Sequence, residues 1–394
     1  MQPTKKHEEA TLNEETVRRI SGAKGEPEWL LMQRLAALKA FEELPLPQQS
    51  YGLHVNSPVN IAVNELRPFE NITRHGGSEK DAVVDDLSVA AAKYEKVLRP
   101  LMSSREFHNK IEALHGAFWN SGVFIYAPKP GLGKATIKMG QKETEIVNVI
   151  AVAEENASLE VTESLTQTFT GKKSHRIESI SVYAGHGSKV KYATLQKLGA
   201  DVNSIISRMA QAEGSVDWTD INLGGGTTKQ ETVTTLNSEG ASSTVTGAFF
   251  GDGNQQLDIH AKEVHNERNT TSSIMIKGAL QGKSKAIVQS FTKIMGNAAN
   301  SEGHQKTNIL LLSDTARASP IPKLEIDNYD VKASHEASVG QLDREKLFYL
   351  MSRGLGEREA SILAVEGFFD PLLKGLPADL AEDIRKAVHE KLGG

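Results

Sequence analysis

The apolar residues near the N-terminus recur at intervals of three and four, a spacing that predicts amphipathic helices. A first helix is predicted to begin at Thr11 and Glu14, which are spaced as a capping box ahead of an apolar stripe. A second helix is predicted to follow Pro27, because proline is tolerated in a first helical turn. Its apolar stripe consists of Leu31, Leu35 and Leu38. Both helices are expected to bury one face.

A third helical segment is predicted to run up to Asn120, with Ser103 and Glu106 in capping-box spacing at its start. Its apolar stripe consists of Phe107, Ile111, Leu114 and Phe118. Residues 48–82, which lie between the second and third segments, are polar and irregular and predict a long connector. Residues 1–121 are therefore predicted to form an N-terminal helical domain with a connector.

From residue 122 to about residue 331 the apolar period changes to two, which predicts β-strands. Several turns in this region place a small residue before a serine, at Ser158, Ser188, Ser215 and Ser243. The intervals between these serines are 30, 27 and 28 residues, and a further turn at Ser284 follows after 41 residues, which would need an insertion. A near-constant period favours a β-solenoid over a β-sandwich, because each coil of a solenoid buries its apolar face only against its neighbours.

The helical period returns after residue 340. Asp343 is a predicted N-cap, Arg353 suits the last turn of the helix that follows, and Gly354 can end that helix. Two more helices are predicted over residues 357–369 and 378–392. The predicted order is therefore an N-terminal helical domain, a β core over residues 122–335 and a C-terminal helical domain over residues 336–394.

Composition and charge reduce the number of possible functional classes. With 39% hydrophobic and 24% charged residues, the chain has the composition of an ordinary globular protein. Its net charge of -5 is small and its basic residues are scattered, so we expect no nucleic-acid binding. We find no apolar run typical of a signal peptide or a membrane span, and we expect a cytoplasmic protein. The chain has no cysteine, so any metal must be held by His, Glu or Asp.

Two motif-like segments are rejected on their spacing. Residues 131–136 resemble a phosphate-binding loop, but Pro128 stands where the first glycine belongs and Ala135 follows the lysine. A turn is predicted there instead. His335 and Glu336 begin like a zinc-protease helix, but Val339 occupies the position of the second histidine.

His335 and Glu336 remain candidate metal ligands. Adjacent residues of a strand point to opposite faces, so both could face one metal only if a turn or bulge intervenes. The alternative is a buried, hydrogen-bonded histidine beside a solvated glutamate. A second polar group, formed by His260 and His265 with Glu263, Glu267 and Arg268, fits no standard metal motif and is predicted to lie in a solvated loop.

Several longer motifs resemble the SufB/SufD family of iron-sulfur cluster assembly proteins. They are Gly25–Trp29 with Arg34 and Leu35, Ala117–Phe124, Asn269–Gly278, Ser334–Gly340 and Leu347–Gly354. The resemblance covers nearly the whole chain. It implies a right-handed β-helix core between helical domains, in agreement with the solenoid predicted from the repeat. It also implies a SUF assembly complex, SufBCD, in which SufB and SufD pair through their cores and each binds the SufC ATPase of the ABC type.

The resemblance also assigns roles to individual residues. His335 and Glu336 correspond to the family segment that holds iron or a nascent cluster, and imidazole and carboxylate can both bind iron. Gln196 and Arg208 resemble residues of the family's inner sulfur path. Thr307 stands where SufB has a cysteine, so this chain is not expected to carry persulfide itself. A flavin would enter only through the complex, and no residue of this chain is assigned to it.

The resemblance further implies that the C-terminal helices bind the ATPase, through Phe348, Leu350, Arg353 and Phe368. A local helical core is the alternative interpretation for most of the apolar residues in this set. The predicted function is a scaffold subunit of the assembly complex, without catalytic activity of its own, that pairs with a SufB- or SufD-type relative or with itself. The alternative is a structural adaptor that never contacts the cluster, which the absence of cysteine favours.

Overall fold

Two β-sheets that wind as a solenoid occupy the centre of the chain. A computed structural model describes residues 12–47, 72–76, 82–141, 144–167 and 173–393. The solenoid is parallel, makes about seven turns and is flanked by helices at both ends of the sequence. The predicted fold class, a parallel β-solenoid between helical segments, is therefore confirmed.

From β3 onward, successive strands alternate between the two sheets, so that consecutive strands form one coil. The strands are β1 Ile72–Gly76, β2 Val83–Asp86, β3 Ser121–Ala127, β4 Leu132–Gln141, β5 Glu145–Ala153, β6 Ser158–Gln167, β7 Ser174–Ala184, β8 Lys189–Lys197, β9 Val202–Ala212, β10 Ser215–Asn222, β11 Thr227–Leu236, β12 Ser242–Gly251, β13 Gln256–His265, β14 Thr271–Leu280, β15 Lys285–Ile294, β16 Ser301–Leu311, β17 Arg317–Ile326 and β18 Val331–Gln341. Sheet A contains β1 and the even-numbered strands from β4 to β18. Sheet B contains β2 and the odd-numbered strands from β3 to β17.

The coils repeat without the insertion that the serine turns predict. Ser242, at the start of β12, pairs with Thr271, so the next strand of sheet A begins 29 residues later. Ser284 instead precedes β15, which belongs to sheet B. The predicted insertion is wrong because serine turns occur at corners that lead into either sheet.

Inward-facing side chains of one coil pack on the equivalent side chains of the next. One such column along sheet A consists of Ala135, Val161, Tyr192, Trp218, Val245 and Ile274. The ring centroids of Tyr192 and Trp218 lie 5.5 Å apart, and the Trp218 indole N–H donates to the Thr234 hydroxyl at 3.1 Å. Each coil therefore depends on its neighbours for burial.

The N-terminal helices differ in detail from the prediction. They are α1 Glu14–Lys24, α2 Glu28–Glu43, α3 Leu87–Lys93, α4 Glu95–Ser103 and α5 Lys110–Phe118. Thr11 lies outside the described residues, and the side chain of Asn13 caps α1. The predicted cap of the third segment is wrong, because Ser103 ends α4 and Asn109 caps α5 by accepting from the Ile111 and Glu112 amides. Most of the predicted connector lies outside the described residues, but its residues 72–76 form β1.

The two ends of the solenoid are finished differently. At the N-terminal end, β1 and β2 pair antiparallel with β4 and β3 and cover the first coil. At the C-terminal end, β17 and β18 each have one neighbouring strand. The predicted core boundary at 335/336 falls inside β18, which runs on to Gln341 because no helix cap occurs before Asp343.

Three helices follow β18, and only two of them pack on the solenoid. They are α6 Arg344–Ser352, α7 Glu357–Leu373 and α8 Ala378–Gly393. The α7 and α8 side chains form one apolar cluster with Leu195, Ile221 and Phe250 on the outer face of sheet A. Polar contacts fix the same position, since Lys277 donates to the Phe368 carbonyl and Lys391 to the Phe250 carbonyl. By contrast, α6 contains no buried residue.

A buried ion pair connects the N-terminal helices to the first strands. The Arg34 guanidinium binds both carboxylate oxygens of Glu26 at 2.7 Å, and both side chains are fully buried. Arg34 also donates to the carbonyls of Ala117 and Trp119 and lies 3.8 Å from the Trp119 ring centroid. Ser88 donates to the same carboxylate at 3.1 Å. The Gly25–Trp29 motif therefore joins α2, α3 and α5.

The replacement Glu26→Gln should strongly destabilise the N-terminal helices, because it leaves the buried Arg34 charge without its anion. Removing one partner of a buried pair costs about 3–5 kcal/mol. The measurement is the free energy of urea unfolding, followed by tryptophan fluorescence. Glu14→Gln is the matched control, since Glu14 forms an exposed pair with Arg18 and should contribute little. Equal effects of the two replacements would contradict the prediction.

Candidate functional site

The open end of the solenoid brings the predicted histidine to the inner side of the last coil. His335 pairs in register with Gln305, whose side chain is buried inside the solenoid. Gln305 is held by its amide, which donates to the Thr292 hydroxyl at 2.7 Å and to the Lys323 carbonyl at 3.0 Å. His335 itself is exposed, because no further coil covers it. Its imidazole is therefore accessible from the open end.

Glu336 lies on the opposite, outer face of the same strand. Its carboxylate accepts from Lys306 Nζ at 2.9 Å, and Asn308 Nδ2 lies 3.5 Å away. Lys306, and to a lesser extent Asn308, lower the pKa of the Glu336 carboxyl. The pairing of β16 with β18 continues through both residues without a bulge. His335 and Glu336 therefore do not converge on one ion within this chain.

For His335 and Glu336 the sequence left two alternatives, a shared metal site or a buried histidine beside a solvated glutamate. The structure agrees with neither alternative completely. Glu336 is solvated, as the second alternative expects, but His335 is exposed rather than buried. Within the described ranges, no group of three or more His, Asp or Glu side chains is placed to hold a metal ion.

Gln196 faces the interior, and its amide is fully engaged. Oε1 accepts from the amides of Leu198 and Gly224, and Nε2 donates to the Gly224 carbonyl and the Thr228 hydroxyl. Gly224 has room only for hydrogen, since a Cβ there would lie 2.1 Å from the Leu198 carbonyl oxygen. Gln196 thus ties the end of β8 to the turn before β11.

Arg208 lies in the same interior but has other partners. Its Nη2 donates to the Thr194 hydroxyl at 2.9 Å, and its Nη1 lies 3.2 Å from Asp220 Oδ1. Asp220 also accepts from Gln230 at 3.0 Å. The structure therefore places both predicted path residues in the polar interior of the middle coils, and each is bound to fixed neighbours.

The prediction of a solvated loop is wrong for His260, Glu263 and His265, whereas Glu267 and Arg268 lie in the turn that follows β13. The first three residues lie on β13, and Glu263 and His265 face the interior. Glu263 accepts from Ser243 at 3.0 Å, and burial raises the pKa of its carboxyl to about 8. His265 contacts the hydroxyls of Thr270 and Ser272 at 2.7 and 2.8 Å, and burial lowers its pKa to about 4.

The alternation along β13 could have revealed this placement. Leu257, Ile259 and Ala261 are inward and apolar, and the same period of two continues to Glu263 and His265. Their polarity hid the period, because polar residues at such positions are usually expected to face solvent. On β16, Thr307 also faces the interior and its hydroxyl lies 3.1 Å from that of Ser290.

The residues predicted to bind an ATPase occupy two environments. Phe348 is 73% exposed on α6, and Arg353 stacks on Tyr349 with 5.2 Å between the guanidinium carbon and the ring centroid. Leu350 is half-buried. Phe368 is half-buried as well, since it packs against Phe369 and lies over Lys277. Phe368 therefore contributes to the packing of α7 on sheet A, whereas Phe348 is available to another molecule.

The exposed apolar surface of this region extends beyond the predicted set. It consists of Phe348, Tyr349, Met351 and Leu363. Exposed aromatic and aliphatic side chains grouped on neighbouring helices are typical of a protein-binding surface.

No helix in the described part of the chain is long and apolar enough to cross a membrane.

Comparisons with known proteins agree with the geometry. Residues 136–368 match the model of a family described as SUF system FeS cluster assembly, SufBD core domain. An iron-sulfur cluster assembly SufBD family protein of Staphylococcus saprophyticus is 28% identical over 443 residues, which cover 98% of this chain and 94% of the relative. Proteins of the same description from Staphylococcus haemolyticus and Staphylococcus aureus are 28% identical over 442 residues, with the same coverage.

The buried Glu263 makes a pH-dependent contribution to stability. In the unfolded chain its carboxyl ionises at its ordinary pKa near 4.5, whereas in the folded chain it stays protonated up to about 8. Between these values the folded state binds more protons, so stability should fall as the pH rises from about 5 to 8. Glu263→Gln should remove this part of the dependence.

The measurement is the difference in free energy of urea unfolding between wild type and variant at pH 5 and pH 8. Glu263→Gln should gain stability relative to wild type as the pH rises. Glu302→Gln is the control, because Lys332 lowers the pKa of Glu302 and no such loss is expected above pH 5. If the difference in unfolding free energy between Glu263→Gln and wild type is the same at pH 5 and pH 8, Glu263 is already ionised in the folded chain at pH 5.

Proposed function

This chain belongs to the SufBD family of iron-sulfur cluster assembly proteins, and we propose that it works as a scaffold subunit of that assembly machinery. In this proposal the open end of the solenoid pairs with a SufB- or SufD-type subunit or with a second copy. The helix α6, with the adjoining face of α7, binds a SufC-type ATPase. The observation that carries the proposal is the open end itself, where an accessible histidine lies at the edge of an incomplete coil.

An open solenoid end favours a partner on physical grounds. The last strands present unpaired backbone groups, and such edges pair with other chains unless they are blocked. Pro320 and Pro322 lie in β17 and carry no N–H, so this strand has two fewer donors for an added strand. No proline occurs in β18. The partner is therefore proposed to add its strand to β18, beside His335.

The proposed role of His335 is to hold iron of the cluster under construction. A neutral imidazole is a suitable ligand for iron, and His335 projects from the inner side of the last coil. The chain supplies no thiolate, so thiolate ligands and persulfide sulfur would have to come from a partner. Glu336, on the outer face, would then have to act in another way.

An adaptor that never contacts the cluster is the second candidate. The placement of Gln196 and Arg208 favours it, because the Gln196 amide is fully engaged and Arg208 is held by Thr194 and Asp220 inside the closed coils. The two candidates share the partner surfaces and differ only in the role of His335. In both cases we propose a cytoplasmic subunit without catalytic activity of its own.

The α6 surface supports the proposed ATPase contact. A helix with no buried residue gains little from its own chain, and its exposed Phe348 and Tyr349 would be covered by a partner. The α7 and α8 helices, which pack on sheet A, would connect this surface rigidly to the solenoid. A movement of the bound ATPase would then be transmitted through α7 and α8 to the coils of the solenoid.

His335→Ala should lower the iron and sulfide bound by the complex while leaving complex formation unchanged. Loss of even an indirect partner of a metal site costs about ten-fold or more, so at least this reduction is expected. The measurement is the iron and acid-labile sulfide content after co-expression with the SufC-type and SufB-type relatives of the same cell. His186→Ala, at an exposed turn far from the open end, is the control. Unchanged iron and sulfide content would refute the proposed role of His335 and favour the adaptor.

Phe348→Asp should abolish co-purification of the ATPase, because a charge would replace an aromatic group at the proposed contact. The fold should be retained, since Phe348 is 73% exposed. Met32→Asp is the matched control, a 58% exposed residue on α2 of the N-terminal region. Recovery of the ATPase with the Phe348 variant at the wild-type ratio would refute this docking surface.

A further inference from the structure

Four side-chain pairs connect β16 to β18 along the outer face of sheet A. The pairs are Glu302 with Lys332 at 2.7 Å, His304 with Ser334 at 2.8 Å, Lys306 with Glu336 at 2.9 Å and Asn308 with Ser338 at 2.7 Å. Every pair joins residues that are direct partners in the strand register. We call this set the outer ladder. It spans four successive outward positions of the terminal strand.

The preceding strand offers β16 no comparable set of partners. At the same four positions, β14 presents Thr271 to Glu302, Ser273 to His304, Met275 to Lys306 and Lys277 to Asn308. No carboxylate faces Lys306 from that side. Between these three strands, the cross-strand charge pairs therefore lie on the β18 side of β16 and not on its β14 side.

The terminal strand needs such a device because other determinants of its register are weak. A buried face normally specifies register, since a shift by one residue would move the apolar set to solvent. The inward residues of β18 are instead small or exposed, including Ala333, His335, Ala337 and Val339. In addition, β18 has one neighbouring strand rather than two.

A shift of β18 by one residue would exchange its inward-facing and outward-facing side chains. Because side chains alternate, Glu336 or Ser334 would then point inward and His335 outward. The same shift would break all four pairs of the outer ladder at once. Each exposed pair contributes little alone, but the shifted strand loses the whole set.

We infer that the outer ladder holds β18 in register, and that Glu336 is a positioning residue that keeps His335 on the inner side of the open end. Glu336 acts through Lys306 on the outer face and binds no metal. This inference rests on the proposed function for the importance of His335. The register itself is a property of the chain alone.

The absence of cysteine makes the register directly measurable in the full chain. Ile309 and Val339 are direct partners on the inner face, so cysteines at both positions should form a disulfide under mild oxidation. Gly340 lies on the other face, and a Cβ there meets no atom within 4 Å. A second reporter, Ile309→Cys with Gly340→Cys, should therefore form no disulfide in the native register.

Glu336→Lys should slow cross-linking between positions 309 and 339 by about two- to five-fold, the effect of losing one cross-strand pair. The second reporter should gain cross-linking as the register loosens. Lys306→Glu combined with Glu336→Lys restores the opposite charges and should restore the native pattern. Unchanged cross-linking in the single variant, or no recovery in the double variant, would overturn the ladder's role.

Cluster content separates positioning from metal binding. If Glu336 only positions the strand, the charge-swapped double variant should recover the iron and sulfide content that Glu336→Lys loses. Restored cross-linking without restored content would show that the carboxylate itself is needed at position 336, and would overturn the inference. If His335→Ala leaves the content unchanged, the proposed function fails, but the cross-linking comparison still decides the role of the ladder.

Discussion

A parallel solenoid buries the inner face of each coil only against the next coil, and this constraint organises the rest of the structure. The first coil is covered by the antiparallel strands β1 and β2. The part of the chain that the structure describes places no such cover on the last coil, so its inner side chains and the edge of β18 are exposed there. Apolar burial and backbone pairing both favour completion of this end by another chain.

The interior of the solenoid combines apolar columns with buried polar clusters. Apolar columns run along the coils, and the polar clusters include Arg176 with Glu178 in the first coils and Arg208 with Asp220 in the middle ones. Burying a charged group costs free energy that its partners offset, and these side chains find their partners on neighbouring strands. Polar contacts of this kind make the stacking of coils specific.

Outside the solenoid, the helices differ in how firmly they pack on it. The Glu26–Arg34 pair fastens the N-terminal helices, and the cluster of α7 and α8 with sheet A fastens the C-terminal pair. Between these fixed elements, α6 follows β18 directly and packs against little. The chain thus places its two unpartnered surfaces, the edge of β18 and the face of α6, next to each other in sequence.

The sequence by itself determined the order of the helical, β and helical regions, the solenoid and the motifs at His335 and Phe348, because periodicity and local caps such as Asp343 are short-range properties. It did not reveal the inward placement of Glu263, the full engagement of Gln196 or the opposite directions of His335 and Glu336. Those depend on pairing between residues about thirty positions apart. Only the tertiary structure decided them, since strand register and burial are set by neighbouring coils that the local pattern does not specify.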